Sequence, residues 1–301
     1  MSRSAWRILV AVAACVASAL GAEQPNRSCP PVELAIRVAF GSPQQLADGL
    51  KELAEQRGSS SKWRLIEARL REAGCSSVES QAGRNLSEPN LVCRIGDGSR
   101  PTIVVGLSPW LDGWQSAALL PQLARAISAG PRRHDFLLVA FGRNVLLQPD
   151  GARELLDQLA SPPSLFVHFA DVGMQPLVVG ADTAESQTCL VQSVAAAMGS
   201  PISALSTWER VYYPCGEASA LLCTGVRRDL DTFPFLRRSI AVTGLYGVRE
   251  EPSLGLRARD PPRLSPAHYV ASYRVLAAYL VAADGALGAP PRPTAPAPPE
   301  S

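Results

Sequence analysis

Histidine is scarce in this sequence, which contains only His134, His168 and His268 among its 301 residues. Imidazole is a frequent general base and a frequent zinc ligand, so few catalytic arrangements of either kind can be built here. We expect His134, just ahead of a predicted strand, to be solvated. We expect His168, inside an apolar strand, to be a core residue with satisfied hydrogen bonds, and His268 to be exposed in the first turn of a helix.

The sequence also lacks the loops that mark several common enzyme classes. No Gly-x-Ser-x-Gly elbow is present, which argues against a serine hydrolase of that type. No Walker loop is present, and no predicted strand is followed by Gly-x-Gly-x-x-Gly. A nucleophilic role for Ser108 has no histidine base placed for it in the sequence.

The sequence has neither a large excess of one charge nor a long apolar run beyond its N-terminal region. The net charge is +2, and no Lys/Arg run alternates with aromatic residues, so the sequence favours neither a nucleic-acid partner nor an anionic membrane. After the N-terminal region, no segment reaches the roughly 18 consecutive apolar residues of a transmembrane helix. Apolar residues make up 47% and charged residues 19%, as is ordinary for a folded globular protein.

The N-terminal residues have the three parts of a secretory signal. The basic MSRSAWR precedes the apolar ILVAVAACVASAL, and small residues follow at GAEQ. We predict a signal peptide over 1–22, cleaved after Gly21 or Ala22, and a secreted or periplasmic protein. The alternative is a lipoprotein anchored through Cys15, because VAAC resembles a bacterial lipobox.

Cysteine usage agrees with export. Without Cys15 the chain has six cysteines, namely Cys29, Cys75, Cys93, Cys189, Cys215 and Cys223. No Cys-x-x-Cys pair occurs, which favours structural disulfides over a zinc finger. The sequence does not select a connectivity, although Cys215 and Cys223 form the most plausible local pair.

Apolar strands alternate with helices along the chain. The predicted strands are Asn90–Ile95, Thr102–Leu107, Asp135–Phe141, Ser164–Val172, Pro176–Ala181 and Ser239–Leu245. The predicted helices are 42–56, 59–74, 114–127, 151–159, 186–199 and 265–285. Nearly continuous apolar strands separated by helices predict an α/β sheet that is buried on both faces.

The predicted organisation is one domain with flanking segments of low hydrophobicity. A linker over 23–38 leads into an α/β domain over 39–284. The tail over 285–301 is rich in Pro and Ala without a hydrophobic pattern, which predicts an extended, disordered segment.

A series of motifs carries the strongest functional signal in the sequence. In chain order these motifs are WRLIEARLREAGC, PNLVCRIGDG, PTIVVGLSPW, DGWQSAALLPQLARAI, RHDFLLVAFG, FADVGM, LDTFPFLRRSIAVTGLYG and LRARDPPRLSP. Together they resemble the zinc-dependent exopeptidases of the aminopeptidase type (metallopeptidase clan MH, family twenty-eight) over about residues 35–284. That family includes glutaminyl cyclases and the non-enzymatic ectodomain of the transferrin receptor. The resemblance implies a single-domain three-layer α/β/α sandwich with a mixed, mostly parallel central sheet, as in the zinc-exopeptidase (phosphorylase/hydrolase-like) fold.

The resemblance also implies which residues occupy the positions of the family's two-zinc centre. Asp112 matches the bridging aspartate and Asp171 matches a further carboxylate ligand, so both are vestigial positions. Ser108 and Trp110 stand where the family has its His-x-Asp. Asp112 has a structural interpretation as the cap of a helix beginning at Gly113, and Asp171 has one as a hydrogen-bond acceptor at a strand end.

The remaining matched positions have lost their ligand chemistry. Arg143 and Asn144 fall where the family has its Glu-Glu pair, Leu256 falls at the last histidine, and Thr232 stands at the histidine of the Ser-Asp-His motif. Two aspartates without imidazole cannot complete a tetrahedral zinc site, and Arg143 adds positive charge where a dication would bind.

These losses predict a secreted, catalytically inactive aminopeptidase-like protein with a binding or structural role and no cofactor. The partner is an unknown protein or peptide ligand. Trp110, Trp114 and Thr232 are candidate linings of the emptied pocket, or the tryptophans fill it as core residues. The alternative is an active zinc exopeptidase whose ligands are displaced, with His168 and His134 as the imidazoles that could be recruited.

Overall fold

Eight strands form one mixed sheet in the computed structural model, which describes residues 38–84, 86–109, 113–142, 150–180, 183–204, 231–247 and 264–288. The strands are β1 Ser77–Gln81, β2 Asn90–Ile95, β3 Thr102–Leu107, β4 Asp135–Ala140, β5 Leu165–Ala170, β6 Leu177–Val179, β7 Ser203–Ala204 and β8 Val242–Gly247. Their order across the sheet is β1-β2-β4-β3-β5-β8-β6-β7. The central strands β4, β3, β5 and β8 are parallel, whereas β2 and β6 run antiparallel to β4 and β8.

Helices cover both faces of this sheet. They are α1 Pro43–Glu55, α2 Ser59–Arg71, α3 Trp114–Ala117, α4 Leu120–Ser128, α5 Asp150–Gln158, α6 Glu185–Ala197, α7 Phe233–Arg237 and α8 Pro266–Ala286. One core lies on the face packed by α1, α2, α3, α4, α6 and α8. A smaller core lies on the opposite face, against α5 and α7. The three-layer α/β/α architecture with a mixed sheet is therefore confirmed.

The parallel strands supply side chains to both cores, as their unbroken apolar sequence indicates. In β3, Ile103 and Val105 belong to the larger core, whereas Val104 belongs to the smaller one. In β5, Val167 packs into the larger core and Phe166 into the smaller one. This alternation follows from the two-residue period of a strand, which sends successive side chains to opposite faces.

Two helices begin at capping residues that the sequence identifies. The Ser42 hydroxyl accepts a hydrogen bond from the backbone N–H of Gln45, whose side chain accepts one from Ser42 N. The Ser265 hydroxyl accepts from the N–H of His268 at the start of α8. A capping oxygen satisfies one of the donors that the first helical turn leaves unpaired.

The structure differs from the sequence expectation at the edges of the sheet and in one helix. The short strands β1 and β7 were not predicted, because neither has an apolar face: β1 is half-buried or exposed along its length and β7 is exposed. The single helix expected over 114–127 is two helices, α3 and α4. Pro121 lies in the first turn of α4, where its missing N–H costs no helical hydrogen bond.

The expectation that cysteines of this chain form structural disulfides is confirmed. Cys75, in the turn after α2, forms a disulfide with Cys93 of β2. Cys189 of α6 is also disulfide-bonded. The predicted Cys215–Cys223 pair lies outside the described residues.

Most of the predicted flanking segments lie outside the described residues. The signal peptide over 1–22 and most of the linker over 23–38 lie outside the described residues, as does the tail beyond Gly288. None of the helices in the described ranges is long and apolar enough to cross a membrane.

Candidate functional site

Two of the positions that the sequence resemblance assigns to a metal centre lie at one edge of the sheet. Ser108 directly follows β3, and Asp171 directly follows β5. These strands are adjacent and parallel, with Gly106 opposite His168. Their carboxyl ends therefore share an edge, which is where ligands bind in open α/β sheets.

The Ser108 hydroxyl is held by a carboxylate that the sequence did not indicate as its partner. Ser108 Oγ donates a hydrogen bond of 2.6 Å to Asp231 Oδ2, and both side chains are buried. Asp231 belongs to the LDTFPF motif but is 123 residues away in the chain. No local spacing pattern links two residues so far apart.

Helix α7 positions Asp231 above the sheet. Its Phe235 ring stacks on Phe166 of β5, with centroids 3.8 Å apart and planes 6° from parallel. Phe235 and Phe166 belong to the smaller core. Since α7 is anchored at the β5 surface by this contact, the residues just ahead of it reach the end of the neighbouring β3.

His168 lies on the same face and completes a cluster of buried polar side chains. We call this cluster the Ser108 network; its members are Ser108, His168, Asp231 and Tyr246. His168 Nδ1 is 3.4 Å from the Tyr246 hydroxyl. His168 Nε2 is 3.9 Å from Asp231 Oδ2, which is too long for a hydrogen bond but close enough for an ion pair when the ring is protonated. An acidic neighbour of His168 in space is thus Asp231.

The order of groups in the Ser108 network is not that of a nucleophilic triad. In acyl-transfer enzymes the imidazole lies between the hydroxyl and the carboxylate and takes the hydroxyl proton. Here the carboxylate of Asp231 lies between Ser108 and His168. Ser108, Asp231, Tyr246 and His168 are 6%, 4%, 2% and 1% exposed, so solvent and substrates have almost no access to them.

Asp171, directly after β5, has an unusual backbone conformation. Its φ is +53°, in the left-handed region that aspartate tolerates better than most residues, and its carbonyl accepts a hydrogen bond from Met174 N. The same carbonyl would lie 2.1 Å from a Cβ placed on Gly247 of β8. Only glycine at 247 leaves room for this strand end.

Two further predicted site residues lie on opposite sides of the sheet. Trp114 begins α3 and packs edge-on against Trp63 of α2, with Lys62 Nζ 5.6 Å from its ring centroid. It therefore packs against the larger core. Thr232 is fully buried at the start of α7, next to Asp231 in the smaller-core layer.

The remaining predicted positions are Trp110, Asp112, Arg143, Asn144 and Leu256, all of which lie outside the described residues. The helix that follows Asp112 begins at Trp114, the first residue of the predicted helix over 114–127. Gly113, with φ of +86°, occupies its N-cap position. Because Asp112 lies outside the described residues, its interpretation as a helix cap stays a prediction.

The expectation that His134 is solvated is also wrong. His134 is 1% exposed, and its Nδ1 lies 3.1 Å from Asp284 Oδ1 near the end of α8. It precedes β4 and so lies at the opposite edge of the parallel strands from Ser108. His134 is therefore unavailable as a displaced ligand near Ser108. His268, in the first turn of α8, is partly rather than fully exposed.

The described residues at the Ser108 edge do not fit a zinc centre of the family type. Position 108 carries a serine hydroxyl, and that hydroxyl donates a hydrogen bond to Asp231. Zinc in proteins takes imidazole, thiolate and carboxylate ligands. Within the described ranges, no three His, Cys, Asp or Glu side chains are grouped so that they could hold a metal ion.

The fold is shared with solved structures of known enzymes. The Legionella pneumophila LapA aminopeptidase is 12% identical, with a TM-score of 0.61 over 81% of this chain and 72% of that one. The Fimbriiglobus ruber glutaminyl cyclase is 12% identical, with a TM-score of 0.58 over 84% of this chain and 99% of that one. The Macrostomum lignano glutaminyl cyclase is 14% identical, with a TM-score of 0.57 over 80% and 89% of the two chains.

The chain has the fold of aminopeptidases and glutaminyl cyclases. No family model and no curated protein sequence matches it. At such low identity the likeness concerns the fold alone. The fold expectation drawn from the sequence motifs is confirmed.

Proposed function

We propose that this chain is a degenerate member of the zinc exopeptidase family whose former metal-binding edge now serves structure, and that the protein acts by binding rather than by catalysis. The observation that carries the proposal is the Ser108–Asp231 hydrogen bond. Ser108 replaces the first histidine of the family motif, and its hydroxyl is committed to a buried carboxylate. The sequence supports the same conclusion at Arg143, Asn144 and Leu256, none of which is a zinc ligand.

Zinc content and turnover test this proposal together. The purified full chain, dialysed against zinc and then against metal-free buffer, is expected to retain far less than one zinc per chain. It is expected to hydrolyse no member of an aminoacyl-anilide panel and to cyclise no peptide with an N-terminal glutamine. Stoichiometric zinc accompanied by turnover of either substrate class would overturn the proposal.

The second candidate function is an active zinc exopeptidase with displaced ligands, and one observation favours it. His168 Nε2 and Asp231 Oδ2 lie 3.9 Å apart at the correct edge of the sheet, so an imidazole and a carboxylate are already adjacent. Under this alternative, His168→Ala and Asp231→Asn would each abolish both zinc retention and turnover. Under the main proposal neither variant changes zinc content, because there is none to lose.

We also propose that the protein is exported. The sequence pattern of residues 1–22 supports this, and the Cys75–Cys93 disulfide fits an oxidising compartment. Mass spectrometry of the mature protein is expected to show an N-terminus after Gly21 or Ala22. A diacylglyceryl-modified Cys15 at the N-terminus would instead establish the lipoprotein alternative.

The binding role implies a protein or peptide partner. Affinity capture with the full chain from a compartment of matching redox state, followed by binding measured with each purified candidate, identifies it. If none of the captured proteins binds the full chain when purified, the binding role is rejected and a structural role is left.

A further inference from the structure

A cavity of about 210 Å³ lies between α8 and the β6–β7 edge of the sheet, and it does not include the Ser108 network. We call it the α8 cavity. Its walls are mainly apolar, with Leu177 of β6, Pro201 and Ile202 ahead of β7, and Val275 of α8. Its two polar contributions from α8 are His268 and Ser272.

These polar residues point to a ligand because neither the Ser272 hydroxyl nor His268 Nδ1 has a hydrogen-bond partner among the described residues. Ser272 is 3% exposed, and its hydroxyl makes no hydrogen bond within the described part of the chain. The Nδ1 atom of His268 is buried, also without a partner. Buried polar groups in native proteins are nearly always hydrogen-bonded, so the unpaired His268 Nδ1 at this cavity requires an explanation.

The two side chains are placed so that both can donate a hydrogen bond to the same polar group of a ligand. His268 and Ser272 are four residues apart in a continuous helix, which places them on one face, with Cβ atoms roughly 5–6 Å apart. Both can donate a hydrogen bond: the hydroxyl through its O–H and the imidazole through a ring N–H. A pair of donors at this spacing suits the two oxygens of a carboxylate.

Charge around the cavity favours an anion over a cation. No acidic side chain is among the described residues that line it. His268 is the third residue of α8, so the first helical turn contributes partial positive charge beside the polar wall. An ammonium group would therefore enter without a counter-charge, whereas a carboxylate would be stabilised.

Size and apolarity define the rest of the ligand. An apolar protein cavity of about 150 Å³ holds one benzene molecule, so the larger α8 cavity has room for a ring with a short carboxylate-bearing substituent. We propose that the α8 cavity binds a small carboxylate with an apolar body, of the size of an arylacetate. The carboxylate contacts His268 and Ser272, and the body packs against Leu177, Ile202 and Val275. This inference does not depend on the proposed loss of catalysis.

Calorimetric titration of the full chain with three probes of one shape tests the proposal. The anion phenylacetate is expected to bind saturably with a Kd at or below about 1 mM, as suits a ligand of this size. The neutral phenylacetamide is expected to bind more weakly, and the cation phenethylamine most weakly. Equal or tighter binding of phenethylamine, or no saturable binding of phenylacetate, would overturn the proposal.

Variants locate the binding in the cavity. His268→Ala is expected to weaken phenylacetate binding about tenfold or more, because it removes a hydrogen bond to a charged group. Ala271→Trp, which fills the cavity from its wall, is expected to abolish binding, whereas Arg274→Ala on the exposed side of α8 leaves it unchanged. Circular dichroism establishes that each variant is folded. If Ala271→Trp does not fold, His268→Ala decides the question alone, and unchanged affinity in that variant rejects the site.

Discussion

Ser108 donates a 2.6 Å hydrogen bond to Asp231 although 123 residues separate them in the chain. The bond joins the end of β3 to the start of α7, and it is closed off from solvent. A hydroxyl at this position satisfies a carboxylate that would otherwise lack this donor. The Ser108 hydroxyl at the end of β3 therefore has a structural function of its own.

Removing this hydroxyl is expected to destabilise the protein. Ser108→Ala leaves the Asp231 carboxylate without one of its donors, and a hydrogen bond to a charged group contributes about 1.5–3 kcal/mol. We expect the free energy of unfolding, measured by guanidinium denaturation, to fall by about that amount. Ser128→Ala is the matched control, because its hydroxyl makes only an exposed bond of 3.3 Å to the Gly74 carbonyl. Equal losses in the two variants would contradict a special role for Ser108.

The sheet could be predicted from sequence because its strands are buried on both faces. Runs such as TIVVGL and DFLLVAF are apolar after their first residue, and the described strands β3 and β4 begin at the predicted residues Thr102 and Asp135. The edge strands β1 and β7 could not be predicted by the same argument. Their pairing depends on the neighbouring strand rather than on a hydrophobic pattern of their own.

The polar contacts were much harder to predict than the elements that carry them. The position of Ser108 followed from the motif after β3, but its partner comes from a distant segment. His134 was expected in solvent because its neighbours in PRRHDF are polar and charged. Its burial depends on Asp284, 150 residues later, and hydrophobic periodicity contains no information on such a pair.

Asp284 is expected to be among the most important polar residues for stability. Its carboxylate accepts hydrogen bonds from the backbone N–H groups of Arg133 and His134 and contacts the His134 ring. Asp284→Ala leaves these largely buried donors unpaired, which we expect to cost about 3 kcal/mol or more. Denaturant unfolding measures the loss. Asp48→Ala, at an exposed position on α1, serves as the control and is expected to have a much smaller effect.

The Cys75–Cys93 disulfide is expected to stabilise the junction between α2 and the sheet. It closes a loop over a sequence separation of 18 residues. A loop of that size corresponds to about 3 kcal/mol in the chain-entropy account. We expect the double variant Cys75→Ser/Cys93→Ser to lose about that much free energy of unfolding. The variant isolates this bond, whereas a reductant would also act on the disulfide of Cys189. An unchanged unfolding midpoint would show that packing alone holds the junction.

Three tyrosines of α8 link the stability of the protein to alkaline pH. Burial raises the pKa of Tyr269, Tyr273 and Tyr279 above the ordinary value. The Tyr279 hydroxyl donates to Gln187 Oε1 at 2.7 Å and lies 2.6 Å from Thr243 Oγ1. In the folded protein these side chains therefore stay neutral at pH values where an unfolded chain ionises them.

The sign of the pH effect follows from this difference. Because the folded pKa lies above the unfolded value of about 10, the stabilisation is complete below about pH 10 and is lost as the pH rises further. Each buried tyrosine contributes a slope of up to about 1.4 kcal/mol per pH unit. We expect phenolate absorbance and loss of helical circular dichroism to rise together in an alkaline titration. Tyr279→Phe, though less stable at neutral pH, is expected to have a shallower slope above about pH 10, since one ionising group is gone. Phenolate absorbance from α8 that appears while the helical signal is intact would contradict the burial of these hydroxyls.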